Sequence, residues 1–128
     1  MLLYNVSKFL DNPYREDLIV KITFFSSLII NIVIWVAVYF KLHPFSYLTE
    51  YQQIYLHYNI YFGIDSIGFW YMAFVIPLLG LIVIIFNNIL GYSFYLKEKM
   101  ISYIFIISQT IIQMILLAAA VFVILLNI

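Results

Sequence analysis

Apolar residues fill three long stretches of this chain that no charge interrupts. Between Lys21 and Lys41, the 19 residues from Ile22 to Phe40 hold no Asp, Glu, Lys or Arg. At helical rise they cover roughly 28 Å, close to the hydrocarbon thickness of a bilayer. A second uncharged run goes from Ser66 to Leu96, and its most apolar part, Phe69 to Phe94, leaves length to spare for tilt. The third, Met100 to Ile128, follows Lys97-Glu98-Lys99 after so short a connection that helices 2 and 3 must form an antiparallel hairpin. The pattern predicts an all-α membrane protein. Its segments are an N-terminal segment at 1–21, transmembrane helices at 22–41, 69–96 and 101–128, a loop at 42–68 and a turn at 97–100.

The first run is read as an uncleaved anchor: it is longer than a signal-peptide core, and Val36-Ala37-Val38-Tyr39-Phe40 puts Tyr and Phe where cleavage needs small residues. Before it, Leu2, Leu3, Val6, Phe9 and Leu10 share one side of a helical projection, as expected of a short helix lying in the membrane interface. Asn12-Pro13 reads as an N-cap followed by proline in a first helical turn.

Inside the spans, the side chains that hydrocarbon should reject are Asn31, Asn87, Asn88, Gln109 and Gln113. Asn31 lies ten residues beyond Lys21, Asn87 ten before Lys97 and Gln109 ten after Lys99. Each therefore sits roughly 15 Å deep, which predicts an interhelical polar layer of Asn31, Asn87, Gln109 and Gln113. In helix 2, Ala73, Pro77, Gly80, Ile84, Asn87 and Gly91 recur at steps of three and four; Ser102, Gln109, Gln113, Leu116 and Ala120 do so in helix 3. With Ser27 and Asn31 on helix 1, these stripes are expected to face one another, since small residues admit close backbone approach and amides bond across it. Pro77 is expected to bend helix 2.

Between helices 1 and 2, His43-Pro44 should stop the first helix. From Leu56 the period changes to two. Leu56, Tyr58, Ile60, Phe62 and Ile64 alternate with His57, Asn59, Tyr61, Gly63 and Asp65, the pattern of a half-buried strand. Its expected partner is Pro44 to Leu48, with a turn near Thr49 to Gln53, making a β-hairpin; a Thr49 to Gln52 cap on a helical turn is the alternative. On a straight strand His57 and Asp65 would stand roughly 26 Å apart, too far to share a ligand unless the chain bends at Gly63. Such a bend, or His43 brought across, would gather a possible first shell for a metal. The plainer expectation is no metal and no cofactor, with His57, Asn59, Tyr61 and Asp65 organising the loop or binding a partner, and Asp65 capping helix 2.

Composition narrows the function classes. The chain is 66% hydrophobic and 9% charged, against about 25% charged in a globular domain. Six Lys/Arg balance six Asp/Glu, so nucleic acid is not an expected partner, and without cysteine there is neither disulfide nor thiolate chemistry. Lys8, Arg15, Lys21, Lys97 and Lys99 fall on one side of the predicted topology and only Lys41 on the other. That bias predicts a cytoplasmic N-terminus, an extracytoplasmic loop and an extracytoplasmic C-terminus. No P-loop, dinucleotide fingerprint, zinc-protease motif or nucleophile elbow is present, and Ser93, Ser108 and Thr110 have no His or carboxylate at their depth, so no enzyme is expected.

The decapeptide Leu56-His57-Tyr58-Asn59-Ile60-Tyr61-Phe62-Gly63-Ile64-Asp65, followed by Gly68, Trp70 and Pro77-Leu78-Leu79-Gly80, resembles a group of small three-helix bacterial membrane proteins to which no activity is attached. The resemblance implies architecture and leaves the role open. His57-x-Asn59 with Asp65 and Gly68 is also similar to the extracytoplasmic loop of SdpI-like membrane proteins, with the internal glycine displaced by one residue. That similarity implies a toxin-immunity or sensing role. The expected function is an accessory or structural membrane subunit whose partners are the lipid bilayer and other membrane chains or copies of itself. The alternatives are an extracytoplasmic ligand sensor and a small oligomeric channel or transporter.

Overall fold

The computed structural model describes residues 11–44 and 53–128. The predicted interfacial helix at 1–10 lies outside them, as do Phe45 to Leu48 and most of the Thr49 to Gln53 turn.

Among the described residues three long helices carry the fold: α1 (Leu18–Leu42), α2 (Val75–Tyr95) and α3 (Lys99–Asn127). With the 3-10 turn Trp70–Phe74 leading into α2, all three are long and apolar enough to cross a membrane. The protein is a multi-pass, three-helix membrane protein. Helix α3 packs against both others; α1 and α2 share a smaller contact. Every residue of the predicted α2 stripe is buried: Ala73, Pro77, Gly80, Ile84, Asn87 and Gly91. In α3 the same holds for Ser102, Gln109, Gln113 and Ala120, with Leu116 half-buried. Most remaining apolar side chains point outward, as lipid-facing surface should.

Each helix end has a local cause. Asn12 accepts from the Tyr14 amide ahead of Pro13, as predicted, but the turn it caps is a separate 3-10 turn, Pro13–Glu16. Helix α1 has its own N-cap, Asp17, whose carboxylate accepts from the Ile19 and Val20 amides. Its α-helical part ends at Leu42, but His43-Pro44 continue it as a 3-10 turn, with His43 keeping helical φ and ψ in place of the extended conformation expected before proline. The change of helical geometry ahead of α2 falls at Val75, and Pro77 sits two residues later in the first α-helical turn. There its missing amide costs little, and the outer half of helix 2, where a bend is expected from the sequence, carries a 3-10 to α junction just ahead of Pro77.

Among the described residues the buried apolar side chains form two clusters. One joins Ile34, Val38, Leu42, Ile54, Ala73, Ala120, Val123 and Ile124. The other joins Tyr14, Val20, Tyr95 and Ile106. Between them along α1 and α3 lie the buried polar residues Ser27, Asn31, Gln109 and Gln113.

A two-stranded antiparallel hairpin, β1 (Gln53–Asn59) and β2 (Gly63–Phe69), stands between α1 and α2. Its existence matches the sequence expectation, but its arms do not. The stretch read as one strand is folded on itself: β1 pairs with β2, with Asn59 opposite Gly63 and Gln53 opposite Phe69, and the tip is Ile60 to Phe62. The predicted apolar face does not bury as a unit either; Ile54 is buried and Leu56 half-buried, while Tyr58 and Ile64 are exposed. Gly63 reverses the chain with a φ of 76°, a conformation glycine adopts without a Cβ penalty. Nothing lies within 4 Å of a Cβ placed there, so conformation alone demands the glycine.

Candidate functional site

The hairpin brings the loop candidates together in a way the straight-strand reading excluded. His57 Nδ1 lies 2.6 Å from Asp65 Oδ1, across the two strands. Register shifts around His57 interrupt the ladder, and both side chains stay accessible, 65% for His57 and 37% for Asp65. Asp65 therefore does not cap helix 2. It lies within β2, and the 3-10 turn that follows begins after Phe69 with no side-chain cap. Asn59 shapes the backbone of the tip, its Oδ1 accepting from the Tyr61 amide in an Asx turn that starts the reversal. Tyr61 itself points away. It is 90% exposed, flanked by Ile60 at 86% and Phe62 at 84%.

The base of the hairpin is fastened to the bundle. Asn127, in the last turn of α3, accepts from the Tyr55 amide at 2.8 Å and donates to the Tyr55 carbonyl at 2.7 Å. One carboxamide thus supplies the edge of β1 with the pairing a third strand would give. Ile54 joins the apolar cluster of the helices. Gly68 lets the two arms close over the bundle, because a Cβ there would meet Leu56 Cδ1 at 2.6 Å and Met72 Sδ at 2.7 Å. Around the same end, His43 stacks on Tyr39 and meets Trp70 edge-on, and Trp35 stacks on Phe74. Among the described residues, no group of three or more His, Asp or Glu gathers that could hold a metal ion.

The amide layer exists in the membrane interior, but it is two knots. In the first, Asn31 Nδ2 donates to the Pro77 carbonyl at 2.9 Å and to Gln113 Oε1 at 3.2 Å, while Gln113 Nε2 donates to the Gly80 carbonyl at 2.7 Å. Trp35 Nε1 donates to Asn31 Oδ1. A Cβ at position 80 would stand 2.5 Å from Asn31 Nδ2 and 2.8 Å from Gln113 Oε1, so any residue other than glycine would push these amides out of their bonds. In the second, Asn88 Nδ2 donates to Gln109 Oε1 and Tyr14 Oη donates to Asn88 Oδ1, while Asn87 stands apart and donates to Ser108 Oγ. Equal depth had placed Asn31, Asn87 and Gln109 together. Depth along an axis says nothing about rotation around it, and the partner facing Asn31 is Gln113, a turn further along α3. Gln109 Nε2 is buried with no hydrogen-bond partner.

A third polar cluster escaped the sequence reading. Asp17 Oδ2 accepts from the hydroxyls of Tyr95 and Tyr103, each at 2.7 Å, and lies 3.4 Å from Lys99 Nζ. Lys99 in turn sits over both tyrosine rings. One carboxylate thus ties the start of α1 to the end of α2 and the start of α3. Burial pushes the Asp17 carboxyl up, but the bonds from Tyr95, Tyr103 and the Ile19 and Val20 amides outweigh it and hold the group well below the usual carboxylate range. The clue was an Asp immediately before an apolar run, an N-cap signal.

The fold and these clusters define the class: a three-helix membrane protein with amide knots inside, an ionic clasp at one end and an aromatic-tipped hairpin at the other. Comparison with protein-family models, curated proteins and solved structures gives no match.

Proposed function

We propose that this protein is a structural or accessory membrane subunit, acting in a homo-oligomer or a larger membrane assembly, with the hairpin as its partner-facing surface. The observation that carries this reading is the tip: Ile60, Tyr61 and Phe62 are each more than four-fifths exposed on a hairpin whose base is pinned by Asn127. Burying a large apolar side chain contributes roughly 1.5–3 kcal/mol, and rigidly presented aromatic residues serve as interface anchors. The lysine bias puts this surface on the extracytoplasmic side. A photoreactive phenylalanine analogue in place of Tyr61, irradiated in native membranes, should give one discrete protein adduct, either to a second copy or to another chain. Ile60→Ser with Phe62→Ser should abolish it. Labelling of lipid alone, with unchanged assembly of the double variant, would sink the proposal.

A sensor role has one observation of its own, the accessible His57–Asp65 pair beside that tip. Under that reading, His57→Ala with Asp65→Ala removes a ligand response while the cross-linked assembly survives. The amide knots give less to a channel, because their bonds run between helices of one chain and to its own backbone.

A further inference from the structure

Helices α1 and α2 touch at the hairpin end and part at the other. Near the hairpin, Asn31 bonds the Pro77 carbonyl and Trp35 stacks on Phe74. At the clasp end, Tyr14 is wedged in, its hydroxyl on Asn88 and its ring edge-on to Tyr92 and Tyr95. The wedge leaves a groove of about 730 Å³ between the first half of α1 and the last half of α2. That volume is ample for part of a lipid, within the usual ligand-pocket range of roughly 300–1,000 Å³.

The lining changes character with depth. Arg15 and Lys21 line the groove at its mouth, with Ser93 and Tyr92 on the α2 side. About one helical turn deeper come Phe24 and Phe25 on α1 and Ile89 on α2. Among the described residues neither cation has a carboxylate partner. The nearest acidic residue in sequence facing the bundle, Asp17, has its oxygens occupied by two tyrosines, two amides and Lys99. Glu16 is exposed and does not line the groove. Two cations without a carboxylate partner among the described residues therefore stand over an apolar slot, and Phe25 and Ile89, each 58% exposed, continue that slot into the outer apolar surface.

We propose that this groove binds an anionic phospholipid, with the headgroup phosphate between Arg15 and Lys21 and an acyl chain along Phe24, Phe25 and Ile89. A free anion would leave the apolar walls unused. A neighbouring apolar helix would leave the cations unmatched at the membrane surface, where each basic side chain favours anionic lipid.

Native mass spectrometry of the full chain, released from vesicles holding equal phosphatidylglycerol and phosphatidylcholine, tests this. The intact protein should retain one phosphatidylglycerol with a preference on the order of tenfold or more. Arg15→Gln with Lys21→Gln should erase the preference, and Ile89→Trp, which fills the slot from an exposed position, should lower retention of both lipids without shifting the unfolding midpoint. Equal retention of the two lipids by the unaltered chain overturns the proposal. So does a preference that survives the double substitution, displacement of the lipid by inorganic phosphate at equal concentration, or a second copy of the chain occupying the groove.

Discussion

Among single residues, buried amides of the same chemistry, one turn apart on α3, carry different weight. Gln113 fills both its roles, accepting from Asn31 and donating to the Gly80 carbonyl. Gln109 accepts from Asn88 but leaves its own Nε2 without a partner. An unmet buried donor costs free energy that an apolar replacement of similar shape removes. Gln113→Leu should therefore destabilise the helix bundle by about 1 kcal/mol, whereas Gln109→Leu should be neutral or stabilising, because Asn88 keeps the Ile84 carbonyl. Reversible unfolding in mixed micelles measures both. A larger loss at Gln109 than at Gln113 would contradict this pairing. The amides themselves were legible as the odd residues in an apolar run. Their partners were not, since spacing gives depth and leaves rotation to packing.

Among the elements, the hairpin is the part with least support of its own. An isolated two-stranded hairpin is marginal in water, and what holds this one is Ile54 in the apolar cluster and Asn127 on the edge of β1. Asn127→Ala should leave the three helices intact and speed hydrogen exchange at the Tyr55 amide about five- to tenfold, consistent with loss of a bond worth about 1–1.5 kcal/mol. Unchanged exchange there would mean the edge is protected by something else. The hairpin also shows why its register was hidden. Alternation of apolar and polar residues runs unbroken from Leu56 through Asp65, and the reversal uses Ile60-Tyr61-Phe62, with none of the Asn-Gly or Asp-Gly pairs that usually mark a tight turn. Only Gly63 hinted at it, and a lone glycine in a strand pattern reads equally well as a bulge.

Across the molecule as a whole, the ionic clasp at Asp17 joins all three helices, so its charge state bears on the entire bundle. Its carboxyl is held below the usual range when folded. The stability it contributes is therefore present above the unfolded carboxylate value of about 4 and is lost as pH falls from there toward the folded value. The unfolding midpoint in detergent should drop below about pH 4, and Asp17→Asn should lower it at neutral pH while flattening that acid slope. An acid slope as steep in the variant as in the parent would assign the effect to other carboxylates.

The order of residues was enough for everything set by one-dimensional pattern: three spans whose lengths match a bilayer, and the stripes of small and amide residues that turn inward. These follow because hydrocarbon forces each segment to satisfy its own backbone, so the period of the side chains suffices. Three-dimensional packing chose which amide meets which, where the hairpin folds, and that Asp17 reaches across to Tyr95, Tyr103 and Lys99. Each of those depends on the rotation and splay of helices about axes that the chain's pattern leaves free, and only the contacts between elements select among the alternatives.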